Sequence, residues 1–151
     1  MPRRTLAALA GLAFGIFGAE MTFGSLRPEE SSAVLYSIEL RNAAGDLLAS
    51  PMLVGEEGRP VHLSYAGPRS ELNMSLDLDP LPQGGGQVCL GYRLSIEDGF
   101  AHSGRLGLWY GQMRSVQLRE GGTELRLSLV MARAHSREFD QILQRRRRPA
   151  A

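Results

Sequence analysis

The chain has 151 residues, of which 17 are basic and 16 acidic, and its formal net charge is +1. This length holds one domain with a single core, which excludes a catalytic domain joined to a separate regulatory one. The balance of charge excludes nucleic-acid binding by the folded body, because that function needs a basic excess to neutralise phosphates.

The first 24 residues have the layout of an export signal. Arg3 and Arg4 precede an uncharged apolar run from Leu6 to Phe17, as in a secretory signal peptide. The run is shorter than the roughly 20 residues that a membrane-spanning helix needs. We therefore predict a signal peptide or membrane anchor at residues 1–24, a linker at residues 25–32, and export to the periplasm or the cell envelope.

Alternation of apolar and polar residues predicts a β domain over residues 33–133. Leu76 and Leu78 alternate with Asp77 and Asp79, a period of two that no α-helix reproduces. Strands of this kind have one buried face and one wet face, which is typical of antiparallel sheets. Further apolar rows are Tyr36/Ile38/Leu40, Val61/Leu63, Val88/Leu90/Tyr92/Leu94/Ile96, Leu106/Leu108, Val116/Leu118 and Leu125/Leu127/Leu129/Met131.

Turn residues lie between these rows. Glycine or asparagine, which tolerate a positive φ, occur at residues 42–46, 55–58, 82–86, 97–99 and 120–122, as hairpin turns require. The sequence therefore predicts an all-β fold, an antiparallel meander of about eight strands forming a sandwich or small barrel.

The residues after the β domain, 134–151, predict a short amphipathic helix and an arginine-rich tail. Phe139, Ile142 and Leu143 share one helix face within residues 134–144, so the helix is expected to cover a sheet edge or to dock on a partner. Four arginines follow, and they indicate either a solvated tail or a site for anionic lipid, lipopolysaccharide or an acidic partner. These arginines are Arg145, Arg146, Arg147 and Arg148.

The sequence contains no catalytic signature. The three histidines are predicted to lie on a strand (His62), in a turn (His102) and at the helix start (His135), and no two have the spacing of metal ligands. The single cysteine, Cys89, excludes an intramolecular disulfide and leaves either a buried thiol or a bridge to another chain. There is no Gly-x-Ser-x-Gly motif. We predict no enzyme activity, cofactor or metal.

Aromatic residues mark a candidate binding surface. Phe100 and the pair Trp109–Tyr110 flank the glycine-rich residues 99–104. Exposed rings at this position would contact a partner, whereas packing in the core is the alternative for Trp109. Together with the apolar helix residues and the four arginines, they form the predicted partner-binding set.

One stretch suggests a family. In residues 47–63, a strand ends in Ala49-Ser50-Pro51 and leads into a hairpin whose turn carries Gly55 and Gly58. Segments 76–80, 86–95 and 113–122 follow with strand and glycine-turn patterns in the same order. This order resembles the secretin domain of bacterial outer-membrane secretion channels. The resemblance is partial, because the chain lacks N-terminal modules and residues 97–113 are too short for the central gate of that family.

Two functions are expected from these observations. The resemblance implies a protein of the Gram-negative envelope, and we predict a non-catalytic β domain that is part of, or accessory to, a larger protein assembly. Strand addition at an exposed sheet edge would provide the contact with an envelope protein partner. The alternative is a free-standing periplasmic protein that binds a small apolar ligand inside the sandwich or barrel.

Overall fold

A computed structural model describes residues 32–67 and 72–148. The predicted signal segment and residues 25–31 of the linker lie outside the described residues. Within them, no helix reaches the length and hydropathy that crossing a membrane requires. The elements are β1 (Ala33–Asn42), β2 (Leu47–Ala49), β3 (Met52–Glu56), β4 (Val61–Ala66), β5 (Asn73–Gly84), β6 (Gln87–Ile96), β7 (Ala101–Trp109), β8 (Arg114–Glu120), β9 (Thr123–Arg133) and α1 (Arg137–Arg147).

The strands form two antiparallel sheets packed as a sandwich. Sheet A has the order β2-β1-β9-β8, with β3 pairing beside β2 on the same side of β1, and sheet B has the order β4-β5-β6-β7. The prediction of an antiparallel all-β fold with a short C-terminal helix is confirmed. Sheet B is a simple meander. Sheet A is not, because its first and last strands pair along nine positions, from Val34 opposite Arg133 to Asn42 opposite Leu125.

The core lies between the two sheets. The alternating rows of the sequence point inward, so that Leu76 of β5, Leu90 of β6 and Leu127 of β9 are fully buried. Burial of one such side chain contributes about 2 kcal/mol, and the rows of both sheets join into a single cluster. Packing between the sheets therefore holds the domain together without a disulfide.

Helix α1 covers the outer face of sheet A. Phe139 is buried against Leu35 of β1 and Ala132 of β9, and Ile142 and Leu143 pack beside it. For this reason β1 and β9 depart from alternation: residues 34–38 and 127–132 are buried without interruption. The covered strands are sandwiched between the main core on one side and the helix on the other.

The helix begins and ends later than predicted. Ser136 caps its N-terminus by accepting a hydrogen bond from the backbone N–H of Phe139 at 3.1 Å. Arg145, Arg146 and Arg147 form its last turn and are not a tail. Arginine is a good helix former, and its charge is favourable at the negative C-terminal end of a helix.

Candidate functional site

The two outer faces of the sandwich differ. Sheet A carries α1 over its apolar half, whereas the outward side chains of β4, β5, β6 and β7, here called the open face, have no element of the described residues over them. The open face carries charged, polar and apolar side chains that are exposed to solvent: His62, Ser64, Asp77, Asp79, Leu81, Arg93, Arg105 and Trp109.

A polar row crosses the open face in register. His62, Asp77, Arg93 and Ser103 lie opposite one another on the four strands. The Nδ1 of His62 is 2.6 Å from Oδ1 of Asp77, and its Nε2 is 3.1 Å from Oγ of Ser64. The sequence analysis missed this constellation, because strand register, which no local pattern reveals, brings Asp77 beside His62.

Asp77, His62 and Ser64 form a hydrogen-bonded chain like that of a catalytic triad, in which an acid orients a histidine base and the base activates a serine nucleophile. Such groups gain their catalytic effect in a site that excludes water and holds donors for the developing oxyanion. Here the side chains of His62 and Asp77 are 56% and 53% exposed. The row therefore lacks the exclusion of water that acyl transfer uses, and its polar groups are accessible from solvent.

An apolar patch lies at the other end of the open face. Leu81, Cys89 and Gly107 are opposite one another, and Trp109 follows Gly107 by two residues on the same side of β7. Leu81 is 60% exposed and Trp109 47% exposed. The patch extends from β5 across β6 to the edge strand β7.

The predicted aromatic cluster does not form. Phe100 is 6% exposed and belongs to the core. The hydroxyl of Tyr110 donates to Glu57 at 3.0 Å, and the guanidinium of Arg133 lies 4.4 Å from the centre of the Tyr110 ring. Burial, and then the Glu57 carboxylate, raise the pKa of Tyr110. Trp109 alone of the three predicted rings projects into solvent.

Some of the helix residues predicted to bind a partner face sheet A, and the others face solvent. Phe139, Ile142 and Leu143 face sheet A of their own chain. The guanidinium of Arg146 also points inward, donating to Oγ of Ser37 at 2.9 Å, to the carbonyl of Ser50 at 2.7 Å and to the Ser50 hydroxyl. These four residues are therefore engaged within the chain. Arg145, Arg147 and Arg148 are exposed.

The histidines and the cysteine lie in different parts of the fold. No three His, Cys, Asp or Glu side chains converge in residues 32–67 and 72–148. The prediction that His102 lies in a turn is wrong, because it belongs to β7 and its ring stacks on Tyr92 at 5.8 Å between centroids. Cys89 is partly buried on the open face.

Comparison with protein-family models, with curated proteins and with solved structures found no match in any of the three.

Proposed function

We propose that this chain is an exported, non-catalytic β-sandwich module of a bacterial envelope that binds a partner protein on its sheet B side. The observation that carries the proposal is the contrast between the two faces. Helix α1 covers part of sheet A, whereas the open face has no element of the described residues over it and carries the exposed Leu81 on β5 and the exposed Trp109 on the edge strand β7.

The edge of β7 is the best candidate for strand addition. An edge strand presents unpaired backbone groups, and proteins protect such edges with charges, prolines or short length. The edge strand β8 carries Arg114, Arg119 and Glu120, and the β2/β3 edge is interrupted at Pro51. β4 has only 6 residues. By contrast, β7 has 9 residues, and its only Asp, Glu, Lys or Arg is Arg105.

The apolar patch supplies an anchor for such a partner. Exposed tryptophan is among the side chains that dominate binding energy at protein interfaces. Trp109 ends β7, so a strand added along β7 would bring its own side chains beside Trp109 and Gly107. The glycine leaves open space, because no atom lies within 4 Å of the position that its Cβ would take.

The proposed location in the bacterial envelope is based on the sequence. Arg3, Arg4 and the apolar run to Phe17 support export, and the secretin-like order of the later segments 76–80, 86–95 and 113–122 in the sequence supports an envelope assembly. No observation in the described residues favours the alternative, a protein that holds an apolar ligand between its sheets. That function stays a prediction.

Photo-crosslinking tests the proposal. A photoreactive residue replaces Ser103 on β7 or, as the matched control, Gln117 on β8, and the full chain is irradiated in gently solubilised envelope fractions. We expect one dominant adduct from position 103 and none from position 117, and we expect Trp109→Ala to reduce its yield. Equal yields at both positions, or no adduct, would contradict the assignment to β7.

A further inference from the structure

Two arginines face each other on the part of sheet A that α1 leaves uncovered. Arg41 of β1 and Arg126 of β9 are direct cross-strand partners, a position in which like charges are destabilising. Arg41 is held by Glu39 at 3.3 Å and donates to the carbonyl of Gly45 at 2.9 Å. Arg126 makes no ion pair within the described residues. Glu39 offsets one of these two charges, and the second, that of Arg126, faces solvent.

The end of α1 adds three further arginines to this region. Successive helix residues are about 100° apart around the axis, and Arg146 faces the sheet through its contacts with Ser37 and Ser50. Arg145 and Arg147 therefore project to either side of Arg146, and Arg148, the residue that ends the helix, is exposed. Arg146 thus fixes the rotation of the helix that presents its neighbours.

The two groups of arginines are linked through Arg146 and Glu39, which lie between them. Arg146 donates to Ser37, two residues before Glu39, and Glu39 in turn holds Arg41. We call Arg41, Arg126, Arg145, Arg147 and Arg148 the arginine face. Glu39 lies between its two parts, and the nearby Glu124 is paired with Arg119 at 3.5 Å.

An apolar side chain lies in the same row. Leu47 of β2 is the cross-strand partner of Arg41 and is 48% exposed. The row across the sheet is therefore Leu47, Arg41, Arg126 and Gln117. The arginines project from a sheet and from the outer side of a helix that lies on it, which suits an extended surface more than a peptide in a groove.

We propose that the arginine face docks the protein on a membrane surface of anionic lipids. Basic residues close to such a surface are attracted to its charge. The apolar face of α1 is already used against sheet A, so the helix does not insert, and the attraction is electrostatic and sensitive to salt. This contact is independent of the protein partner proposed for the β7 edge.

Co-sedimentation of the full chain with vesicles tests the proposal. The vesicles contain phosphatidylcholine alone or phosphatidylcholine with phosphatidylglycerol, and the measured quantity is the ratio of the two partition coefficients. The triple change Arg145→Gln, Arg147→Gln and Arg148→Gln is expected to lower this ratio by about a hundredfold, since each arginine contributes roughly fivefold. Arg126→Gln alone is expected to lower it several-fold.

The matched control removes three charges elsewhere, by Arg59→Gln, Arg93→Gln and Arg105→Gln, and is expected to leave most of the ratio intact. The residues before 32 are present in every variant, so their contribution cancels in the comparison. An equal loss in the control, or no loss in the triple variant, overturns the proposal. So does displacement by free glycerol phosphate at the headgroup concentration, or tighter binding to polyglutamate than to the vesicles.

Discussion

The hydroxyl of Tyr36 is a buried polar atom without a hydrogen-bond partner in the described residues. A buried polar group that is left unpaired costs about 1–3 kcal/mol, whereas the ring of Tyr36 fills the core at 0% exposure. We therefore expect Tyr36→Phe to raise the free energy of unfolding by about 1 kcal/mol, measured by chemical denaturation. Tyr65→Phe is the control, and a loss of stability in Tyr36→Phe would show that the hydroxyl has a partner.

The same residue makes stability depend on alkaline pH. Burial, with the nearby Tyr110, raises the pKa of Tyr36 above its ordinary value of 10.0. The unfolded chain therefore loses this proton first, so stability is present below about pH 10 and falls as the pH rises above it. We expect the Tyr36→Phe variant to lose stability less steeply than the unmodified protein between about pH 9.5 and 11, the range around the ordinary tyrosine pKa of about 10. Identical slopes in the two proteins would contradict this.

Arg146 has a structural role that its neighbours lack. Burial lowers the pKa of its guanidinium, and it donates to Ser37 and Ser50. Because Arg146→Ala leaves these acceptors without a donor, we expect it to lower the free energy of unfolding by about 2 kcal/mol. The exposed Arg145→Ala should change it by no more than about 0.5 kcal/mol. Equal effects in thermal denaturation would show that the inward contacts contribute nothing.

Ser64 is the residue on which a catalytic function would depend. Because the adjoining His62 and Asp77 side chains are more than half exposed, we expect hydrolysis of p-nitrophenyl acetate by the full chain to be unchanged in Ser64→Ala. His62→Ala serves as a second variant. A reproducible loss of activity in both would revive the enzyme hypothesis.

At the scale of elements, α1 is a third layer of the fold. Phe139 is 7% exposed and packs on Leu35 and Ala132. We expect Phe139→Ala to lower the free energy of unfolding by about 3 kcal/mol, through lost burial and the cavity left behind. Gln141→Ala, on the exposed side of the same helix, should have an effect within about 0.5 kcal/mol. Unfolding of the two variants at the same denaturant concentration would mean that α1 does not stabilise the sheet.

The sequence predicted strands with one solvent-exposed face better than strands that are buried on both faces. Leu76 and Leu78 of β5 follow the alternation that the sequence shows, and the turns at 42–46, 82–86, 97–99 and 120–122 join paired strands as predicted. The hairpin predicted at 55–58 is wrong, because this turn leads from β3 in sheet A to β4 in sheet B. Residues 34–38 of β1 are buried on both sides because α1 covers them, a tertiary effect that local periodicity cannot reveal. The spacing of Phe139, Ile142 and Leu143 predicted the helix, but it could not show which surface the helix would cover.

At the scale of the whole molecule, the sandwich has two faces with different chemistry. The arginine face belongs to sheet A, and Trp109 projects from sheet B on the other side. Neither surface was predictable as a unit, since Arg41 and Arg126 are far apart in the chain and meet only through the pairing of β1 with β9. Trp109 is the single tryptophan of the chain, so its fluorescence reports on one face alone.

This arrangement predicts how the protein lies on a membrane. If the arginine face contacts phosphatidylglycerol vesicles, Trp109 points away from them, and its emission maximum and its quenching by aqueous acrylamide should not change when vesicles are added. The Trp109→Phe variant gives the background signal. A blue shift with reduced quenching would place sheet B against the lipid.

The pairing of β1 with β9 has a consequence for how the protein is made. A ribosome releases β1 early, and β1 can form a hairpin with β2 and β3, while the strands of sheet B can pair one after another as they emerge. Sheet A nevertheless lacks β9 until the end of the sandwich has been synthesised. The two-sheet core therefore cannot close on a nascent chain, and the folded state becomes accessible only when translation of the domain is almost complete.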